Sequence, residues 1–198
     1  MALRDIGRQS LARHSSSSSS GTADYFALLG IPRRFDVDGP AMSTAYKAQM
    51  TEAHPDKWVS AGADEQKAAG VRAAAVTHAY ATLRRPHQRA AHLLELLGGG
   101  LMDAGSEAAA IDMPMEFLMW VMEMRERLEG AEVAASTLEA AKAEVRVQVQ
   151  ANATALTGAF ERAGAGEQGA VEQAQELTAV LQYLRRIEEE IHVKSAAT

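Results

Sequence analysis

An all-α protein, a helical hairpin followed by a three-helix bundle, is the fold this sequence predicts, and three features carry the expectation. Hydrophobic residues make up 47% of the 198-residue chain but aromatic ones only 5%, so Ala, Leu and Met supply most of the apolar surface. Those side chains lose little rotamer freedom in a helix. Pro occurs only 5 times and long stretches lack Gly, which leaves helices uninterrupted. Apolar residues also recur at three- and four-residue spacing, and no alternating run marks a strand.

Residues 1–21 stand apart as a leader. Arg4, Arg8 and Arg13 alternate with Leu3, Ile6 and Leu11, Asp5 is the sole acid, and a serine tract fills positions 15–20. An Arg-rich, Ser-rich, acid-poor segment has the composition of an organellar transit peptide, and the expected address is mitochondrial ahead of plastid or cytoplasm. The alternative is a disordered leader without an address, since a serine tract cannot build a core.

Residues 24–97 make the first module. Asp24 caps a short helix carrying Tyr25, Leu28 and Leu29, which Gly30 and Pro32 end. A second helix is expected over 41–53, with Met42, Ala45, Tyr46 and Gln49/Met50 forming its buried stripe. It stops at His54 because Pro55 disfavours the α conformation in the residue before it. A longer helix follows over 64–83, with Val71, Ala74/Ala75, His78/Ala79 and Leu83 expected inward. Pro86 breaks it, and a last helix carries Ala90, Ala91, Leu93, Leu94 and Leu97. Gly98-Gly99-Gly100 then reads as a flexible hinge opening a linker over 98–112.

The second module, 113–192, reads as three helices over about 114–129, 132–161 and 168–191, joined by turns at Gly130 and Gly164-Ala165-Gly166. Three amphipathic helices joined by two short turns make a small antiparallel bundle. The first is over-supplied with apolar residues. Phe117, Val121, Met124 and Leu128 already form a complete core stripe, which leaves Leu118, Met119, Trp120 and Met122 surplus. Either these pack on the first module or the third helix, or they form a Met-rich docking face, since flexible thioethers adapt to a partner.

Charge and composition exclude several functions. The formal charge of −6 argues against general affinity for nucleic acid or an anionic membrane. Residues 24–89 hold nine Lys/Arg against seven Asp/Glu, and residues 113–192 hold seven against fourteen, so the two modules present different surfaces. Without any Cys, the chain has no disulfide, thiolate–zinc site or Cys-ligated cluster of its own. No apolar run approaches the roughly 20 residues of a membrane span. His54, His78, His87 and His92 fall at no ligand spacing, so neither a metal nor a cofactor is expected. Nucleophile elbow, phosphate-binding glycine loop and paired catalytic acids are missing too, and no enzyme is expected.

The sharpest local feature is His54-Pro55-Asp56-Lys57 between helices of unequal length. Pro55 fixes φ near −65° and lowers the entropy cost of holding a turn. Asp56 then becomes an exposed carboxylate on a rigid mount, suited to a bidentate arginine of a partner. His54 is placed to cap the preceding helix end, where the partial negative charge favours a ring N–H. Asp24-Tyr25-Phe26 stands upstream, Tyr46-Lys47 on the helix before the turn, and Ala79-Tyr80-Ala81-Thr82-Leu83 late in the helix after it. This order resembles the J-domain, which implies binding to a DnaK-class chaperone and stimulation of its ATPase. The resemblance makes His54, Pro55 and Asp56 the contacts, with Tyr46, Lys47 and Lys57 as weaker candidates. Lys47 is the only Lys or Arg in the second helix, which is less basic than the family's.

Two further runs resemble one branch, the HscB family of iron–sulfur co-chaperones. They are Leu83-Arg84-Arg85-Pro86 with Arg89-Ala90 and Leu93-Leu94, and Phe117-Leu118-Met119 with Met124-Arg125-Glu126-Arg127-Leu128. The resemblance covers residues 24–192 and implies two partners: a DnaK-class ATPase and an iron–sulfur scaffold protein of the IscU type. It places Leu118, Met119 and Met122 against the scaffold, joined by an aromatic of the third bundle helix, here Tyr183, with Glu123 and Glu126 at the rim. The N-terminal Cys-x-x-Cys zinc module of some members is missing. Two rival readings remain: a general J-protein whose bundle binds unfolded clients, and a helical adaptor with an incidental turn.

Overall fold

The computed structural model describes residues 22–99, 113–130 and 133–197, so the leader and most of the linker lie outside the described residues. Seven α-helices follow in order: α1 Tyr25–Leu29, α2 Gly39–Ala53, α3 Ala63–Leu83, α4 Pro86–Leu96, α5 Met115–Arg127, α6 Ala135–Gly164 and α7 Ala170–Ala197. A single 3-10 turn, Pro55–Trp58, sits between α2 and α3. No strand occurs among the described residues.

Local chemistry sets the helix ends. Asp24 Oδ1 accepts from the Phe26 and Ala27 N–H groups at 3.0 and 3.1 Å, while its Oδ2 holds Arg33. Gly30 closes α1 at φ +72°, a left-handed conformation that favours glycine. Glu65 Oε2 reaches back to the Gly62 N–H and satisfies one orphan donor of α3. Arg89 bridges the break before α4. Pro86 lacks a donor, and Arg89 Nη1 instead donates to the Leu83 carbonyl at 2.7 Å.

α2 buries the expected stripe, with Met42 inside and Tyr46 and Met50 at its edge. α3 does not. Its inward residues are Ala69, Val76, Ala79 and Leu83, whereas Val71 is 65% exposed and Ala74, Ala75 and His78 face outward. Alanine dominates this helix, so burying either side changes the apolar area little. The phase is set by where α1, α2 and α4 lie.

The two modules share a core, against the expectation of a hinge between them. Phe26, Leu29, Phe35, Met42, Val76, Leu83 and Leu94 cluster with Leu156, Ala159 and Phe160 of α6 and with Ala174 and Leu181 of α7. Phe35 stacks on Phe160 at 5.9 Å, and the Arg89 guanidinium lies 5.1 Å from the Phe35 ring. Burying each Leu or Phe contributes roughly 1.5–3 kcal/mol, so this contact locks the modules into one body. Gly99 belongs to the seam. Its N–H donates to the Leu94 carbonyl, and a Cβ there would meet Val171 Cγ1 at 2.7 Å. It is glycine because α7 comes close, and it is held rather than hinged.

A second core joins Val121, Met124 and Leu128 of the α5 segment to Leu138, Ala141 and Val145 of α6 and to Val180, Leu184, Ile187 and Ile191 of α7. Arg127 grips Glu144 through Nη1 and Nη2, and this hydrogen-bonded pair holds the Glu144 carboxyl below its ordinary pKa. Lys194 Nζ donates to the Gly130 carbonyl and ties the end of α7 to the loop after α5.

Candidate functional site

The first candidate region is the tip of the α2–α3 hairpin. Pro55 drives His54 into an extended conformation, φ −62° and ψ 131°, which ends α2. In that conformation His54 Nδ1 accepts from the Asp56 N–H at 3.3 Å, and the Lys57 N–H donates to the His54 carbonyl at 3.1 Å. His54 therefore caps the turn that follows it, not the helix before it as expected from the helix dipole. The Asp56 carboxylate lies 3.5 Å from the same Nδ1.

The consequence is a turn whose backbone donors are used internally while the side chains of His54, Asp56 and Lys57 point outward. Asp56 is 86% exposed, Lys57 is exposed, and the His54 ring is half exposed. Lys47 lies exposed seven residues back along α2, two helical turns from His54. Tyr46 is different. It is half-buried and stacks on Tyr80 at 4.3 Å, so it braces α2 against α3. Trp58, which the sequence reading passed over, donates its indole N–H to the Glu52 carbonyl at 3.2 Å.

The second region is the outer face of α5. Val121 and Met124 are buried and Phe117 is half-buried, as the core stripe requires. Of the surplus residues, Trp120 packs beside Phe117 at 5.8 Å against the second core. Leu118, Met119 and Met122 remain 38%, 57% and 65% exposed, with Met115 beyond them. Glu123 and Glu126 are exposed alongside.

Tyr183 of α7 reaches this face. Its ring meets Phe117 edge-on at 6.0 Å, and the Arg125 guanidinium covers it at 5.5 Å. Arg125 was missed in the sequence, though its spacing marks it: it stands three residues after Met122 and seven after Leu118, on the same side of the helix. The cation ties the apolar stripe of α5 to the aromatic ring of α7. The result is an adaptable apolar surface with a cationic edge at Arg125 and an anionic one at Glu123 and Glu126.

The four histidines considered in the sequence serve the fold or the surface. His92 is buried against α1, where Nε2 accepts from the Tyr25 N–H at 3.1 Å and the ring stacks on Tyr25 at 4.2 Å. Burial lowers its pKa below the ordinary value, with Glu95 and Asp24 opposing and Arg33 assisting. His87 is half-buried and is lowered likewise, by burial and then by Arg185 and Arg85. His78 meets the edge of Tyr25 from α3.

Comparison with known proteins places the whole described chain among one group. A family model described as the HSCB C-terminal oligomerisation domain matches residues 113–192. The chain is 40% identical over 154 residues to the co-chaperone protein HscB homolog of Cupriavidus taiwanensis, spanning 76% of this chain and 85% of that one. It is 37% identical over 169 residues to the homolog from Burkholderia mallei, spanning 84% and 91%. Among solved structures, human co-chaperone protein HscB superposes with a TM-score of 0.74 at 25% identity, over 98% of this chain and 94% of that one. Chaperone HscB from Vibrio cholerae gives 0.68 at 28% identity, over 85% and 96%.

Proposed function

The chain belongs to the HscB family of co-chaperones, and from that premise we propose that it activates a DnaK-class ATPase through the turn at His54–Lys57 and brings it an iron–sulfur scaffold protein held on α5. The observation that carries the reading is the state of Asp56. Its carboxylate is exposed while its own N–H is taken by His54, so the turn offers an acceptor whose backbone is already ordered. An arginine fork of the ATPase pairs with such a carboxylate without first freezing the loop, which favours binding. The chain itself hydrolyses nothing in this scheme; the ATP site belongs to the partner.

The α5 face supplies the cargo side. Leu118, Met119 and Met122 with Tyr183 are proposed to hold the IscU-type scaffold, and Glu123 and Glu126 to meet basic residues at its edge. The shared core of the two modules then sets a fixed geometry between bound scaffold and bound ATPase.

Asp56→Asn tests the activating turn. It keeps the side-chain shape and removes the charge, and losing one partner of such a pair costs about 2–5 kcal/mol of binding. A single-turnover ATPase assay is expected to show no stimulation with an unchanged circular dichroism spectrum; stimulation at the wild-type level contradicts the reading. Residues 1–21 are proposed to be a mitochondrial address, on their Arg-rich, Ser-rich composition. A fluorescent protein carrying them is expected in mitochondria, and a cytosolic signal would refute the address.

A further inference from the structure

We infer that Trp58 is the positioning residue of the activating turn: its indole N–H, through the Glu52 carbonyl, fixes how the His54–Asp56 segment sits on the end of α2. The inference rests on the reading that this turn engages a partner ATPase.

The argument starts from the way α2 stops. A helix leaves its last carbonyls without intrahelical partners. In a continuing helix the Glu52 carbonyl accepts from the N–H of residue 56, but here that N–H goes to His54 Nδ1. Trp58 Nε1 takes the vacated role at 3.2 Å. The other two bonds, Asp56 N–H to His54 Nδ1 and Lys57 N–H to the His54 carbonyl, lie inside the turn. They give it shape but do not orient it. The Trp58 bond spans from the far side of the turn back to α2, so it closes the segment 52–58 as a ring.

The indole is half-buried and, together with Ala53, Glu65, Ala68, Ala69 and Arg72, lines the open crevice between the end of α2 and the start of α3. Beyond Trp58, Gln66 Nε2 donates to the carbonyls of Val59 and Ala61 and secures the rest of the loop to α3. The loop is thus fastened to both helices, and the fastening nearest Asp56 is the indole.

Trp58→Phe keeps an aromatic ring and deletes the donor; Trp58→Ala deletes both. The full-length protein is titrated against a DnaK-class ATPase under single-turnover conditions, with amide exchange at Asp56 and Lys57 followed by NMR and with melting temperatures recorded. Trp58→Phe is expected to raise the concentration for half-maximal stimulation about 2- to 10-fold, the worth of one neutral hydrogen bond. Its maximal rate and melting temperature stay at wild type, its Asp56 and Lys57 amides exchange faster by a comparable factor, and Trp58→Ala moves further in the same direction. Wild-type half-maximal concentration and exchange in Trp58→Phe overturn the inference, and so does a parallel fall in melting temperature, which marks the ring as packing alone. If the wild-type chain stimulates no ATPase, the functional reading fails by itself, and the exchange rates alone decide whether the indole holds the turn.

Discussion

At the tip of the α2–α3 hairpin a single carboxylate, Asp56, is exposed on a turn closed by hydrogen bonds between residues 52 and 58. On α5 several apolar side chains, Leu118, Met119 and Met122, are exposed on a helix whose opposite face is core. The first region presents the Asp56 carboxylate in a fixed geometry, where a partner gains from preorganisation and loses nearly everything when that charge goes. The second spreads its contacts over flexible thioethers, an isobutyl group and a ring borrowed from α7, where each residue contributes a share. A charge on a rigid turn suits a switch, and a soft apolar face suits a grip on a folded cargo. The shared core that includes Phe35 and Phe160 keeps the turn and the α5 face on one body.

The largest expected effect separates the grip from the core beneath it. Replacing Leu118, Met122 and Tyr183 together by Ala removes apolar anchors worth upwards of about 2 kcal/mol each, and scaffold affinity is expected to fall by orders of magnitude with helix content retained. Truncating Val121, Met124 and Leu128 instead opens cavities costing about 2–5 kcal/mol per large side chain, enough to detach α5. Calorimetric titration with circular dichroism on both variants distinguishes them. Melting of the first variant like the second would show that the exposed face is packing.

Next comes the seam. Phe160→Ala is expected to cost about 3–5 kcal/mol and to lower the thermal transition of both modules together, because Phe160 belongs to the first core while α6 also builds the second. Differential scanning calorimetry showing two transitions, with only one shifted, would break the single-body account.

The smallest effect is a pH dependence that starts at two histidines of α4. Burial lowers the His92 pKa, so the unfolded chain binds the proton more readily than the native one. Its contribution to stability is complete above the unfolded value near 6.5 and is lost as pH falls through the lowered native value. His87 acts in the same direction. Melting temperature is expected to drop between about pH 7 and pH 5, and His92→Gln to flatten part of that slope. An unchanged slope in the variant would mean that His92 binds its proton equally well in the folded and the unfolded chain, which contradicts this account.

Much of this was legible in the sequence, for identifiable reasons. Helix ends were readable because Asp24, Gly30, Pro55 and Pro86 act locally, through caps, φ and missing donors. The α5 face was readable because Phe117, Val121, Met124 and Leu128 already completed a stripe, and three of the four surplus residues did turn outward. Trp120 did not, because Phe117 offers it a ring to lie against. The phase of α3 was not readable, since a run of alanines carries little periodic signal and Val71 was the wrong landmark. Nor was the seam. Phe35 and Phe160 are far apart in the chain, and nothing at Gly99 distinguishes a glycine for freedom from a glycine for close approach. His54 was misread because the helix dipole suggested a donor, while the extended backbone before Pro55 turned the ring forward as an acceptor.

The most direct test of two separable sites on one body is a crossed measurement. Asp56→Asn and the Leu118/Met122/Tyr183 triple Ala variant are each assayed for scaffold affinity and for ATPase stimulation in the absence of scaffold. The expected result is a clean exchange: Asp56→Asn binds scaffold like the wild type and stimulates nothing, whereas the triple variant stimulates like the wild type and binds scaffold weakly. Loss of both activities in either variant would contradict the account.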